Sequence, residues 1–442
     1  MKRILFVAYH FPPHGGAAVQ RSLKFVKYLP AFGIEPTVMT GVGATDRRWS
    51  PPDETLASEI PPGVDVVRTP WPAGSRHQRL EAEANRLELA ARLVKEKHLE
   101  AIFVSMSPFS DAAFATALSK RCGIPWVADL RDPWALDEFQ VYRTRWHRER
   151  NCRAMRRALA SAALIVMNTP EAAAGLARAF PEFEHRSISI TNGFDLEDIP
   201  PAEPPPRNEL FTIVHAGFLH AAAGLRQRRR PWQYRLLGRI ESGVEILPRS
   251  HYYLLQALER WRTEDPSIES HVRFLLVGET RAIDRELVAH SPVASMTQFT
   301  GYLPHLQSVR AVRQADLLFL PMHKLPAGKR ASIVPGKTYE YIASGRPILA
   351  PVPDGDAKEI LTRARTGLVC EPDNIEEMVA HLRRQYAAWL AHEPPQKVDR
   401  AYLSRFERRE LTRQLADHLG KLTPIPPPPE KNDRAPGTAA SA

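Results

Sequence analysis

Residues 334–351 read VPGKTYEYIASGRPILAP, a loop, a helix, a turn and a strand in quick succession. Lys337 starts the helix behind Pro335 and Gly336, Gly345 stops it, and Pro347, Ile348, Leu349 and Ala350 resume as an apolar strand. A helix start aims unpaired backbone N–H groups and the positive end of its dipole at whatever lies in front of it. With Lys337 at that end, the fitting guest is a phosphate or diphosphate. Glu340, one turn further on, has two acceptor oxygens suited to sugar or ribose hydroxyls. An ordinary capping turn with a solvated lysine and a surface glutamate fits the same residues, so this stretch alone does not choose the ligand.

The alternation extends outward in both directions. Apolar strand patterns fall at 4–8, 36–40, 64–68, 101–105, 126–129, 164–167 and 187–190, then at 211–216, 272–277, 298–300 and 317–320, with helical patterns between most of them. Strands separated by helix-length crossovers pair in parallel, which predicts doubly wound α/β sheets. At 442 residues the chain exceeds one core and divides into two domains of about 200 residues each. Pro200, Pro201, Pro204, Pro205 and Pro206 mark a hinge over 200–207, between a first domain at 1–199 and a second at 208–397. Residues 221–245, AAAGLRQRRRPWQYRLLGRIESGVE, break the rhythm and read as an inserted basic loop. Two helices are expected at 374–389 and 398–422, and residues 423–442 are too poor in apolar groups to form a core.

Lys and Arg number 60 against 50 Asp and Glu, a formal charge of +10. That balance favours an anionic partner: a nucleotide, a nucleic acid or a lipid head-group surface. Cys122, Cys152 and Cys370 are widely spaced and show neither a disulfide framework nor a metal-ligand pattern, which fits a reducing cytoplasm. The opening MKRILFVAYHF is interrupted by Pro12 and Pro13, and reads as a first buried strand rather than a signal peptide or a membrane span. Between 143 and 157 stand arginines 143, 145, 148, 150, 153, 156 and 157 against the single acid Glu149. This is field enough to hold an anionic membrane or a diphosphate, though a merely solvated basic helix explains it as well.

Ligands of doubly wound sheets bind beyond the carboxyl ends of the strands. The loop after the first strand, YHFPPHGGAAVQ, puts Gly15 and Gly16 directly before a helix, where the backbone can approach a ligand closely. It lacks the dinucleotide-binding G-x-G-x-x-G spacing, and a tight turn without a ligand fits equally. The loop ADLRDPW sets Asp129, Arg131 and Asp132 at another strand end, either as functional groups or as an ion pair tying the loop together.

The pieces FPPHGG, TNGFD, HAG at 215–217, LLVGE at 275–279, GYLPH at 301–305, QADLLFLP and PGKTYEYIASGRPIL occur in an order and spacing that resemble the retaining family 4 glycosyltransferases. The likeness runs over nearly all of residues 1–422. It implies the GT-B fold: two Rossmann-like doubly wound domains facing across a cleft, with the last helix crossing back to the first. The second domain would hold a nucleotide-sugar donor and the first an acceptor. Donor contacts are then expected at Gly15, Gly16, Gly217, Leu303, Gly336, Lys337, Thr338 and Glu340, with Glu340 matching the second motif glutamate, on the ribose. The first motif glutamate, eight positions earlier, falls on Ser332, so a carboxylate at the donor sugar is missing. The arginine that follows the HAG strand aligns with Arg249 across the insertion, and Arg228, Arg229 and Arg230 compete for its role.

Sugar transfer breaks the anomeric C–O bond while negative charge builds on the leaving diphosphate, and preorganised cations and N–H groups stabilise that charge. Lys337, Arg249 and the Gly15-Gly16 loop are the candidates. Asp132 is the candidate for positioning the acceptor hydroxyl, and Asp129 its rival. No D-x-D stands at a plausible site, so metal-independent chemistry without a cofactor is expected, the nucleotide-sugar being a co-substrate. The resemblance and the arginine run together predict a cytoplasmic enzyme bound peripherally to the inner face of the cell membrane. It would extend a glycan or lipid-diphosphate-linked acceptor in cell-surface polysaccharide assembly, docked through Arg145, Arg148, Arg156 and the insertion. Two other readings stand beside it. One is an inactive GT-B binding protein, suggested by Ser332. The other is a basic nucleic-acid-binding protein, opposed by the lack of an aromatic or zinc module among the basic residues.

Overall fold

The structure is a computed structural model that describes residues 1–42, 52–199, 209–394 and 397–424. The proline hinge at 200–207 and residues 425–442 of the tail lie outside the described residues. Seven strands, β1 (Lys2–Ala8), β2 (Ile34–Gly41), β3 (Val66–Thr69), β4 (Ala101–Ser105), β5 (Trp126–Leu130), β6 (Leu164–Met167) and β7 (Ser187–Ser189), form a parallel sheet in the order 3-2-1-4-5-6-7. Six more, β8 (Phe211–Ala216), β9 (Val272–Val277), β10 (Thr297–Gly301), β11 (Leu317–Phe319), β12 (Ile348–Pro351) and β13 (Gly367–Cys370), form a second parallel sheet in the order 10-9-8-11-12-13. This is the two-domain GT-B architecture. In both sheets the winding reverses beside the first strand, which opens crevices at the carboxyl ends of β1 and β8.

Helices cover both faces of each sheet, so the central strands are apolar on both sides. Leu5, Val7, Ile102 and Val104 enter one core and Ile4, Phe6 and Phe103 the opposite one. The second sheet repeats this with Val214, Ala216 and Leu318 against Ile213, Phe274 and Leu276.

Three elements depart from the sequence reading. Strand β13, GLVC, was not expected: it is a half-buried edge too short and too weakly alternating to announce itself. The insertion is not a loop, for it forms helices at Ala221–Arg229 and Pro231–Leu236. Its alanines and arginines are good helix formers, and Pro231 restarts the second helix at a first-turn position where no N–H is needed. Tyr234, Ile240 and Val244 bury its inner side, and a Cβ on Gly224 would lie 2.4 Å from Leu247 Cα, so the first helix sits hard against the returning chain.

The terminal helix expected at 398–422 is broken into Arg400–Leu403, a 3-10 turn at Ser404–Phe406, and Arg408–Gly420. At the break the chain pairs with the end of the first domain: Phe194 N donates to Phe406 O at 3.1 Å and Arg408 N to Phe194 O at 2.8 Å. The last segment then lays Leu411, Leu415 and Leu419 into the core that holds Ile4, Phe6 and Val19. Gly193 permits the crossing, since a Cβ there would fall 2.1 Å from Phe406 O.

Candidate active site

The helix Lys337–Ser344 is stopped by Gly345 in the left-handed conformation, φ 72°. Its buried face carries Tyr339, Tyr341 and Ile342. Tyr341 fixes it to the end of β8, where the phenol oxygen accepts from Ala216 N at 2.7 Å. Lys337 therefore points across the carboxyl end of β8, its Nζ 3.1 Å from His215 Nε2. His215 Nδ1 lies 2.9 Å from Phe319 O and must donate there, which leaves Nε2 as the acceptor for the lysine. Gly217, φ 106°, leaves the space this amine needs, since a Cβ would sit 3.0 Å from Nζ. Burial, reinforced by the charge of Arg249 and opposed by Glu340, pushes the Lys337 amine down to about 7.

Arg249 reaches the same pocket. The insertion loops away from β8 and returns, His220 N donating to Arg249 O at 3.0 Å. The guanidinium lies over the Phe139 ring at 4.7 Å, and burial draws its pKa down against the charges of Asp137, Asp132 and Glu138. Arg228, Arg229 and Arg230 are exposed instead, and Arg228 bonds to Tyr252 OH at 3.1 Å. The structure thus brings Arg249 to Lys337 and leaves the three competing arginines on the outside. Burial, then Arg249, Lys337 and Arg281, hold the His220 imidazole far below its ordinary value. Neutral histidines and converging cations give this strand end a charge suited to a dianion.

The remaining donor-site candidates stand on the helix Lys337–Ser344, in the loop after β10 and just before the helix Ala17–Tyr28. Gly336 is exposed at the helix cap, and the Thr338 hydroxyl is fully buried without a hydrogen-bond partner. Leu303 is half-buried against the second-domain core in the loop that follows β10. Glu340 acts electrostatically on Lys337, on His305 and on Arg408, which the crossing helix delivers buried and with Nη1 unpartnered. Gly15 and Gly16 follow β1, and Gly16, φ 83°, caps the helix Ala17–Tyr28 in a conformation that disfavours a side chain.

The two sheets present their carboxyl ends to each other, and acids of the first domain face the cations. Asp132 is exposed on the loop after β5, near Arg131 and Arg249. Asp129 is not free to serve an acceptor: it receives three hydrogen bonds from buried Arg21, at 2.7, 3.0 and 3.1 Å. The same guanidinium holds the Ile190 and Thr191 carbonyls at 2.9 and 2.7 Å, so the pair ties strand ends together.

Further along that loop, Glu138 crosses the cleft to accept from both Ser332 N, at 3.0 Å, and Ser332 Oγ. Its Oε1 also lies 3.3 Å from His323 Nε2. Burial would raise this carboxyl, but the His323 and Ser332 contacts hold it below its ordinary value. Burial and the charges of Glu138 and Asp132 push neighbouring Asp137 up to about 7. Sequence reasoning missed Glu138, Asp137, His323 and Arg408, because nothing local distinguishes an Asp-Glu pair in a loop until the two sheets are seen face to face.

Among the described residues one carboxylate trio, Glu59, Asp195 and Asp198, is close enough to hold a metal ion. Buried Lys24 sits in it, 2.8 Å from Asp195 and 3.1 Å from Asp198, and Lys27 bonds Glu59 at 2.9 Å. Ammonium groups already occupy the cation position.

Two family profiles match the chain, one over strands of each sheet. The profile described as a glycosyl transferase 4-like domain matches residues 15–188, and that described as glycosyl transferases group 1 matches residues 242–387. No curated protein matches the chain in sequence. Sucrose-phosphate synthase from Thermosynechococcus elongatus superposes with a TM-score of 0.67 at 15% identity, over 95% of this chain and 98% of that one. Anabaena HepE in complex with UDP-glucose gives 0.62 at 15% identity, over 95% and 100%. The E. coli trehalose-6-phosphate protein bound with UDP-2-fluoro glucose gives 0.60 at 12% identity, over 96% and 100%. At such identities the likeness establishes the fold. With one glycosyltransferase profile on each of its two sheets, this chain belongs to the glycosyltransferases of the GT-B fold.

Proposed function

We propose that the enzyme moves a sugar, with retention of anomeric configuration, from a nucleotide-sugar held by the second domain to a glycan or lipid-diphosphate-linked acceptor met by the first. The observation that carries this is the convergence of Lys337 and Arg249 at the carboxyl end of β8, with Glu340 one turn behind them. Two structures of the same fold contain UDP-glucose or a fluorinated relative, which supports a nucleotide-sugar donor. As the anomeric C–O bond breaks, the leaving diphosphate gains charge, and two cations fixed in a water-poor pocket stabilise it without reorganising. The backbone at Gly15 and Gly16 adds to this from the first domain, and Glu340 holds the ribose. The acceptor hydroxyl, oriented by Asp132, attacks from the face the diphosphate leaves and passes its proton to a diphosphate oxygen. Lys337 and Arg249 do the work a divalent cation does in other transferases. Turnover therefore persists in excess chelator, and loss of activity restored by magnesium or manganese would overturn that part.

The acceptor reading rests on the outer surface. Six of the seven arginines near the helix Arg145–Leu159 are exposed, Arg148 alone turning inward to Glu241 at 3.3 Å. Arg145 and Arg156 pair with Glu149 and Glu182, yet their side chains stay 82% and 61% exposed. Backbone bonds from Tyr142 N to Arg239 O, 2.6 Å, and Arg145 N to Leu237 O, 2.7 Å, stitch the insertion to this helix. The joined surface exposes Trp146, Trp232 and Leu236 among the arginines. Beneath it lies a cavity of about 1360 Å³ lined in part by Arg153, Arg228, Arg235 and Tyr253. Aromatic and leucine side chains among basic ones suit the interface of an anionic bilayer, where each basic residue contributes about 1 kcal/mol. No helix among the described residues is long and apolar enough to cross a membrane. The proposed place is therefore the cytoplasmic face of the cell membrane, in the assembly of surface polysaccharide or glycolipid. Flotation with vesicles tests this. Binding that rises with anionic lipid and falls with salt is expected, and no association at low salt would refute it.

A further inference from the structure

Glu138 is an unusual residue for a domain contact. It comes from the first domain, is 6% exposed, and gives both carboxylate oxygens to one residue of the second, Ser332. Ser332 stands five positions before Lys337, in the segment that leads into the helix capped by Gly336. His323, fully buried, backs the carboxylate from the end of β11. Phe139, the next residue, packs under the Arg249 guanidinium, and Arg249 acts on the charges of Glu138 and Lys337 alike. A buried carboxylate is thus fixed within electrostatic reach of Arg249, in an enzyme whose second domain has a serine at the contact.

A carboxylate accepts about four hydrogen bonds. Ser332 fills two of Glu138's, and His323 Nε2 stands 3.3 Å from Oε1 without making a hydrogen bond. The remaining acceptor positions, on a carboxylate whose charge acts on Arg249, suit the hydroxyls of the sugar that the diphosphate carries. We propose that Glu138 supplies, from the first domain, the carboxylate that orients the donor sugar, so that this subsite exists only while the two domains are in contact. The proposal rests on the nucleotide-sugar reading above and extends it: the nucleotide is bound by one domain, and its sugar is read by both. Glu138 is a specificity and positioning residue here. A latch that merely held the domains together would need no spare acceptor capacity on the carboxylate that acts on Arg249.

The side-chain contact between Glu138 and Ser332 provides the test. A carboxylate built on position 332 would occupy the space that Glu138 now fills, so the charge can be moved from one domain to the other. Full-length parent, Glu138→Gln, Glu138→Ala, Ser332→Glu and the double variant Glu138→Ala/Ser332→Glu are compared. The measurements are calorimetric affinity for UDP, GDP, dTDP and ADP, steady-state constants with the corresponding nucleotide-sugars, and melting temperature. Glu138→Ala should lose about 10²-fold in turnover and Glu138→Gln should raise the KM for nucleotide-sugar. Both should keep nucleoside diphosphate affinity within about threefold, because the sugar alone is affected. Ser332→Glu alone should be impaired by two carboxylates meeting, while the double variant should regain at least about tenfold over Glu138→Ala. If the Glu138 variants lose only melting temperature and transfer at the parent rate, or if the double variant recovers nothing, Glu138 is a latch and the proposal falls. Failure of the parent to bind any of the four diphosphates would instead overturn the donor reading itself.

Discussion

Lys337→Met separates what the lysine does for function from what it does to stability. Its pKa of about 7 stands against 10.5 for a free lysine. At about 1.4 kcal/mol per unit, the folded protein disfavours the charged amine by about 5 kcal/mol, and about 4 kcal/mol of that is expressed at pH 7. The sign follows from proton binding. Between pH 7 and 10.5 the unfolded chain holds this proton and the folded one does not, so the parent gains stability as pH rises through that window. Methionine follows the same aliphatic path without the charge. It also loses the 3.1 Å bond to His215 Nε2, and leaving that buried nitrogen unpaired costs about 1–3 kcal/mol. The variant should therefore be about 1–3 kcal/mol more stable at pH 7, the gain fading to nothing near pH 9.5 as the penalty on the parent falls to about 1 kcal/mol. In the same protein diphosphate binding should be lost and turnover should fall by about 10²-fold or more. Denaturant titrations at pH 7 and pH 9.5 measure the first effect and nucleoside diphosphate release the second. A variant less stable than the parent at pH 7, or a gain of the same size at both pH values, would refute the argument.

Two further outcomes follow from contacts between the domains. Gly193→Ala puts a methyl 2.1 Å from Phe406 O and 2.6 Å from Leu411 Cδ1. It should cost about 3 kcal/mol or more and loosen the terminal helix, seen as faster amide exchange over 408–420; unchanged exchange there would show the crossing to be unimportant. His305 reaches Asp198 across the cleft at 3.2 Å. Burial opposes its charge, but the Asp198 bond and Glu340 raise its pKa above the usual 6.5. That contact is at full strength below pH 6.5 and is lost as pH climbs through the raised value. Amide protection of 52–54 and 303–306 should therefore decline from about pH 6.5 upward in the parent and stay flat in Asp198→Asn, and equal profiles would contradict it.

The fold was legible because its strands are buried on both faces and read as apolar runs divided by helix-length spacers. β1, β5, β6 and β8 announce themselves in this way, whereas β13, half-buried at an edge, does not. The insertion misled for the opposite reason. Its arginines suggested a loop, although Ala221–Arg229 is rich in helix formers and Pro231 is well placed to restart a helix. At the site, Lys337 and Glu340 could be read from one stretch, because a helix start is a local device. The pairing of Arg249 with Lys337 needed the alignment across the insertion and then the structure to choose among arginines. Glu138 could not be read at all, since its meaning lies in Ser332, 194 positions away. Asp129 and Asp132 looked alike in sequence, and only Arg21, arriving from another helix, distinguishes them.

The central claim is that Lys337 and Arg249 form the donor-diphosphate site, and thermal melting with nucleotide-sugars tests it most directly. Parent, Lys337→Met, Arg249→Met and Arg228→Ala are melted with UDP-, GDP-, dTDP- and ADP-sugars. A donor at a hundred times its Kd stabilises the folded state by about 2.7 kcal/mol, which for a domain of this size raises the midpoint by about 5–10 °C. One nucleotide class should produce that rise in the parent and in Arg228→Ala, and neither Lys337→Met nor Arg249→Met should respond. A rise that survives in both of those variants, or no rise in the parent with any of the four, would contradict the account.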